Sequence, residues 1–417
     1  MRTKLLLPAL LLVAAGASIG GQAREARGAG AEPPADGEVL TGIDVLQENG
    51  FREIKGRRIG LITNQTGIDR KGRSTVHILA NAPGVELKAL FSPEHGLAGF
   101  EEAEEVGSGS YQLPTGEQIP LYSLYGATRT PTGAMLKGLD SLVFDIQDIG
   151  ARFFTYATTM AMAMESATAE GIDFVVLDRP NPINGSSVEG AVLEPDIRHF
   201  IAYFPIPVRH GLTLGEIARL HNFHTRLGAR LQVVPLKGWK RAMWYDETGL
   251  PWTRPSPNMP DLDAATLYPG IACFEATNVS VGRGTELPFR WIGAPWMKAQ
   301  PLVRRMRAAG LKGVRFTAKR FTPSKSVFKG ESSDGILMSV TDRDAVRPLR
   351  IFAHLVTAMR ALHPREFVVD MKRMPRFTGT RSFNRLYESG AAPQDIIAVF
   401  DADARRFQAQ RAPFLLY

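Results

Sequence analysis

Proton transfer and charge recognition in this chain fall to carboxylates, arginines and amides, because thiols and imidazoles are scarce. There is one Cys and there are 8 His in 417 residues. A single cysteine excludes a disulfide framework and any paired-cysteine zinc or redox site. Cys273, inside the apolar stretch Ile271-Ala272-Cys273-Phe274, reads as a small buried hydrophobe rather than a nucleophile. The side chains able to do chemistry collect in five short clusters. The first two are Asn64-Gln65-Thr66-Gly67 and Ser92-Pro93-Glu94-His95-Gly96. The third runs from Asp145 through Gln147, Asp148 and Gly150 to Arg152, and the fourth is Asp178-Arg179-Pro180-Asn181-Pro182. The fifth, Glu275 to Glu286, contains Asn278 and the core Gly282-Arg283-Gly284. Carboxylates suit general acid–base work, and arginines suit planar anions. Any one cluster alone is more often a turn than a site, since Asn-Pro and Gly-rich runs are ordinary turn formers.

The elements that must position these clusters argue for the set. The first four each follow an apolar run of strand length, at residues 59–63, 85–91, 141–146 and 174–177. Such runs suit strands buried on both faces. Residues 153–170, rich in Ala and Met, read as a helix ending at Gly171, and a helix over 214–227 leads into a strand-like 231–236. Strands alternating with helices imply an α/β domain with a parallel sheet and right-handed crossovers. In such sheets ligands bind beyond the carboxyl ends of the strands, so the four clusters meet at one edge. Four prolines in residues 251–260 break the pattern and place a boundary near 262. Residues 263–417 then read as a smaller α+β domain. Residues 268–296 are mostly loop and strand, with strands near 314–321 and 336–341 and helices over 296–309, 349–362 and 394–410.

Composition and motifs narrow the function classes. The formal charge of +8 is spread thinly, with no Lys/Arg run interleaved with aromatics, so nucleic-acid binding is not expected. Arg2 and Lys4, the apolar run 5–15 and small residues up to Ala23 describe a secretory signal over residues 1–23. Residues 24–38, rich in Gly, Ala, Glu and Pro, read as a disordered lead-in. No later run reaches eighteen uninterrupted apolar residues, so the expected product is exported, periplasmic or extracellular, without a membrane span. Gly16-Ala17-Ser18-Ile19-Gly20 matches a nucleophile elbow but lies in the leader, and no phosphate-binding Gly-rich loop occurs. His221 and His224 lack an acidic third ligand nearby in sequence, and no metal or cofactor is expected.

Taken together the clusters resemble the exo-β-N-acetylmuramidase family (the NamZ type, glycoside hydrolase family 171). The residues that carry the resemblance are Gly60-Leu61-Ile62-Thr63-Asn64-Gln65-Thr66-Gly67, Phe91-Ser92-Pro93-Glu94-His95-Gly96 and Phe144-Asp145-Ile146-Gln147-Asp148-Ile149-Gly150. They continue with Asp178-Arg179-Pro180-Asn181-Pro182, the run from Asn278 to Thr285 followed by Pro288-Phe289, Ile292-Gly293-Ala294-Pro295-Trp296, and Leu415-Leu416-Tyr417. The resemblance runs from about residue 40 to the last residue. It implies a Rossmann-like catalytic domain (39–262) and an α+β domain (263–417) that completes a cleft between them. It also implies release of N-acetylmuramic acid from the non-reducing end of peptidoglycan fragments. Val281 stands where some members carry an acidic residue, and it cannot serve as an acid here.

Hydrolysis of a β-glycoside needs an acid for the leaving oxygen and usually a second carboxylate. Glu94, among Phe91, Pro93 and Leu97, is the expected acid, raised toward a donor's range by partial desolvation and tuned by His95. Glu275 is favoured as the second carboxylate, with Asp145 and Asp148 as rivals. Asn64, His95, Asp148, Asp178, Asn181 and Asn278 suit sugar hydroxyls and the N-acetyl group. Arg152, Arg179 or Arg283 suit the lactyl carboxylate. Two competing readings are a non-catalytic muropeptide-binding protein and a serine hydrolase of cell-wall peptides built on Ser326 and Lys329.

Overall fold

Each of the four apolar runs is a strand, and each divides its side chains between two cores. The computed structural model describes residues 38–99 and 107–417. The leader over 1–23 and nearly all of the lead-in lie outside them. The chain enters through α1 (Gly42–Glu48), β1 (Arg57–Thr63), α2 (Thr75–Ala80), β2 (Val85–Ser92), β3 (Gly109–Gln112) and β4 (Gln118–Ser123). It continues with α3 (Gly133–Leu136), β5 (Ser141–Asp145), α4 (Tyr156–Ala169), β6 (Asp173–Leu177), α5 (Leu214–His224) and β7 (Leu231–Val234). These strands form one sheet in the order β3-β4-β2-β1-β5-β6-β7, parallel except for β3 at the edge. The parallel strands leave β1 in both directions, the Rossmann order, which puts a topological switch point between β1 and β5.

Alternation along the strands fills both faces. Ile59 and Leu61 of β1, Val143 of β5 and Val175 and Leu177 of β6 pack with α1 and α2. Ile62, Phe144, Phe174 and Val176 point to the opposite face. There they meet α4, which is buried on nearly every side (Ala157, Met160, Ala161, Ala163, Met164, Ala167), as its even Ala/Met composition requires.

Beyond the proline-rich segment come α6 (Leu262–Ile271), β8 (Trp291–Ala294), α7 (Ala299–Ala308), β9 (Val314–Phe321) and β10 (Ser333–Val340). They are followed by α8 (Pro348–Leu362), α9 (Met374–Thr378), α10 (Ser382–Glu388) and α11 (Pro393–Gln410). The strands make a small antiparallel sheet, β8-β10-β9. One expectation is corrected here. Residues 262–271 are helical through Pro269, where the sequence suggested loop and strand from 268. Phe274, Phe352 and Phe400 of this half join the same continuous core as Phe144 and Met160 of the first. Among the described residues no helix is long and apolar enough to cross a membrane.

Candidate active site

The strand ends do collect on one edge, but they divide into a buried network and an open cavity. At the switch point the crevice is filled. Arg179 grips Asp145 with two contacts, Nε to Oδ1 at 2.6 Å and Nη2 to Oδ2 at 3.0 Å, and gives Nη2 also to the Ile68 carbonyl. Thr75 donates to the same carboxylate, which is fully buried. Asp178 accepts from Thr213, from the Gly215 amide at the start of α5 and from the Tyr417 hydroxyl, and burial pushes it up to about 6. Arg152 donates to the carbonyls of Ala191, Ile206 and Phe377. Asn181 bridges Leu212 and Ile183, and Asn278 ties its loop to Glu366 and Val368. The Asn64 Oδ1 is taken by the amide and hydroxyl of Thr66. None of these seven residues lines the cavity, which corrects the expectation that they face the substrate; most of their polar atoms are bonded within the fold, while Asn64 Nδ2 and Arg152 Nε have no hydrogen-bond partner among the described residues.

Asp148 is a different case. It does not line the cavity but lies close enough for its charge to act on Tyr156 and Tyr268 in the wall. Its Oδ2 accepts from the Gly150 amide at 2.7 Å and stands 3.8 Å from His210 Nε2. Among the described residues Oδ1 has no hydrogen-bond partner. Burial pushes Asp148 up to about 7, against the pull of the Gly150 and Ile149 amides. His210 is pushed down to about 3 by burial and by the charges of Arg411 and Arg152, so it is neutral and offers no counter-charge.

The cavity itself encloses about 180 Å³ and is lined by residues of both halves. Glu94 and His95 come from the turn after β2, where His95 and Gly96 both take positive φ (73° and 72°). That conformation costs a non-glycine residue roughly 1–2 kcal/mol and re-aims the chain sharply. Thr155 sits at the N-cap of α4 but makes no cap bond; its hydroxyl instead donates to Glu94 Oε2 at 2.6 Å. Tyr125 lies beside Glu94 as well, and burial together with that charge pushes its phenol up to about 12. Glu275 enters from the 3-10 turn Ala272–Ala276 and accepts from Arg283 Nε at 2.7 Å. Arg283 also stands 5.1 Å from the Phe289 ring centre. The glycines at φ 85° and 78° on either side of it leave no room for a Cβ: one at Gly284 would meet Lys325 N at 2.3 Å. Arg283 is thus held by Glu275 through Nε while it lines the cavity.

Aromatic rings make the walls. Tyr268 of α6 stands 4.5 Å from Phe289, 5.3 Å from Phe153 and 6.0 Å from Phe154, and Phe153 is 5.5 Å from Phe377. The edge-to-face arrangement of most of these pairs makes a rigid apolar surface for the C–H faces of a ring-shaped ligand. Thr155, Tyr156, Tyr268 and Phe289 were missed among the candidate residues; the run Phe153-Phe154-Thr155-Tyr156 at a helix start was the sequence signal for the first two, and Phe289 stood in the Pro288-Phe289 motif.

The competing motifs do not assemble a site. Ser326 and Lys329 are exposed on the loop between β9 and β10 and do not line the cavity. Cys273 is fully buried and its thiol is pushed up by that burial. His221 is bonded to Glu165 at 2.8 Å. Among the described residues no group of three or more His, Cys, Asp and Glu is placed to hold a metal ion.

The arrangement has close relatives. Residues 59–263 match the family model described as exo-beta-N-acetylmuramidase NamZ, N-terminal, and residues 266–417 match its C-terminal counterpart. The chain is 42% identical over 390 residues to the peptidoglycan beta-N-acetylmuramidase NamZ of Bacillus subtilis (strain 168), covering 91% of this chain and 92% of that one. Two crystal structures of DUF1343 family proteins from Bacteroides fragilis share the architecture. One has a TM-score of 0.84 at 36% identity over 92% of this chain and 100% of its own. The other has 0.73 at 29% identity over 91% and 99%. With both halves matched and most of the chain covered, the protein belongs to the exo-beta-N-acetylmuramidase NamZ family.

Proposed function

We propose that the protein is an exo-acting β-N-acetylmuramidase that releases N-acetylmuramic acid from the non-reducing end of peptidoglycan fragments during cell-wall turnover. The observation that carries this reading is the meeting of two carboxylates, Glu94 and Glu275, from different halves of the chain in one aromatic-walled cavity. Glycoside hydrolysis needs that pair. Glu275, ion-paired with Arg283, is the anionic member and serves as base for water or as nucleophile. Glu94, held by the Thr155 hydroxyl, gives its proton to the leaving oxygen as the C1–O bond breaks. Water supplies the hydroxyl that ends on C1 and the proton that restores the acid. The N-terminus of α4, with its partial positive charge, faces the same space. Incubating the protein with an aryl β-N-acetylmuramide and the matched glucosaminide, with products identified by mass, tests the reading. Release of free N-acetylmuramic acid from the first substrate alone is expected. Tight binding with no turnover of either would replace the enzyme with a muropeptide-binding protein.

We further propose that the chain is exported, on the strength of the charged, apolar and small-residue segments within residues 1–23. N-terminal sequencing of the extracytoplasmic protein should start near Arg24. An intact Met1 in a cytoplasmic pool would reject export.

A further inference from the structure

A substrate carrying a carboxylate needs a cation at the cavity, and of the three arginines singled out from the sequence only Arg283 lines it, with its Nε already given to Glu275. Arg152 and Arg179 are consumed by buried partners, and Arg283 is paired with Glu275. Arg129 is different. It lies on the segment between β4 and α3, exposed, with its guanidinium 4.3 Å from the Phe200 ring centre and 5.7 Å from that of Tyr125. Neither ring lines the cavity, but each adjoins a residue that does. Ile201, next to Phe200, lines it, and Tyr125 lies beside Glu94. Among the described residues no carboxylate pairs with Arg129. Contact with two aromatic rings restrains the guanidinium while leaving its N–H edge open to a planar anion. His199, adjoining Phe200, is held below its ordinary range by burial and then by the charges of Arg376 and Arg129, so it adds no charge of its own.

We propose that Arg129 is the specificity residue of the cavity, meeting the lactyl carboxylate of the sugar whose glycosidic oxygen faces Glu94. This rests on the muramidase reading above. Steady-state kinetics with an aryl β-N-acetylmuramide and its lactyl carboxamide separate the two ideas. Wild-type protein should prefer the acid. Arg129→Met should raise KM for the acid by roughly tenfold to a hundredfold, the range of a charge-assisted contact, and leave KM for the amide within about threefold. Arg129→Lys should recover part of the loss, because an ammonium cannot form the two-pronged contact. An unchanged KM for the acid in Arg129→Met, an equal loss on both substrates, or a loss found in Arg376→Met instead, overturns the assignment while the muramidase reading stands. Wild-type protein that hydrolyses neither substrate overturns both.

Discussion

Two carboxylates of this chain are separated by their partners rather than by their chemistry. Glu94 meets a hydroxyl that has given up its own capping role, because Thr155 turns away from the start of α4 to donate to Oε2. Glu94→Gln should keep the shape and remove the transferable proton, lowering kcat by ~10²–10⁴-fold. Thr155→Val should lower kcat by roughly twofold to tenfold with KM little changed, since a hydrogen bond to the neutral carboxyl contributes about 0.5–1.5 kcal/mol. Wild-type kcat in Thr155→Val would leave the hydroxyl with no part in the chemistry. Asp148, by contrast, is buried without a counter-charge and keeps its proton up to about pH 7. In the unfolded chain it would lose that proton near pH 4. Its contribution to stability is thus complete below about pH 4 and is lost as pH rises toward 7, on the order of 4 kcal/mol in all. Asp148→Asn removes that slope. The melting temperature of the variant relative to wild type should climb between pH 4 and 7 and level off above. A difference that stays flat across that range would place the titration elsewhere. At this scale the sequence located the polar residues but could not sort them. Asp145 and Glu94 both end an apolar strand, and only the fold brings Arg179 to one and an open cavity to the other.

Elements were legible where burial alone dictates their composition. The strands of the parallel sheet carry hydrophobic residues on both faces, and α4 is apolar all round, so each announces itself. The element that brings Tyr268 into the cavity was not legible, because α6 contains Pro269 and follows a proline-rich segment, which locally argue against helix. Tertiary packing overrides that preference. Gly270 lies so close to the first residue of α8 that a Cβ there would stand 2.0 Å from the Pro348 carbonyl oxygen. Gly270→Ala must push the two helices apart. It should cost roughly 1–3 kcal/mol of stability, the range of an overpacked core. It should also lower turnover, because the displaced helix carries the Tyr268 ring that packs on Phe153 and Phe289. Calorimetry and kinetics on the same variant check both parts. Wild-type stability would mean that the helices yield at no cost.

Across the whole molecule the two halves are tied by more than the cavity they share. The core that begins at Phe144 on the parallel sheet runs without interruption into Leu267, Phe352 and Phe400. The last residues return to the first half: Arg411 donates to the carbonyls of Gly185, His210 and Gly211, and the Leu416 amide donates to Glu216. The Tyr417 hydroxyl reaches Asp178 at 2.7 Å and accepts from the Leu236 amide at 2.8 Å. Neither half keeps a closed core if the other unfolds, since separation would expose the core that the two share, including Phe153 and Phe154 where they pack on Tyr268. Unfolding should therefore be one cooperative transition, with calorimetric and van't Hoff enthalpies in agreement. Arg411→Met should shift that transition downward as a unit, because three buried carbonyls lose a charged donor together, each loss being worth about 1–3 kcal/mol. A profile that splits into two transitions, or an Arg411→Met protein in which only the second half melts early, would show that the halves are stable independently. The active cavity would then depend on a docking equilibrium rather than on a single folded core.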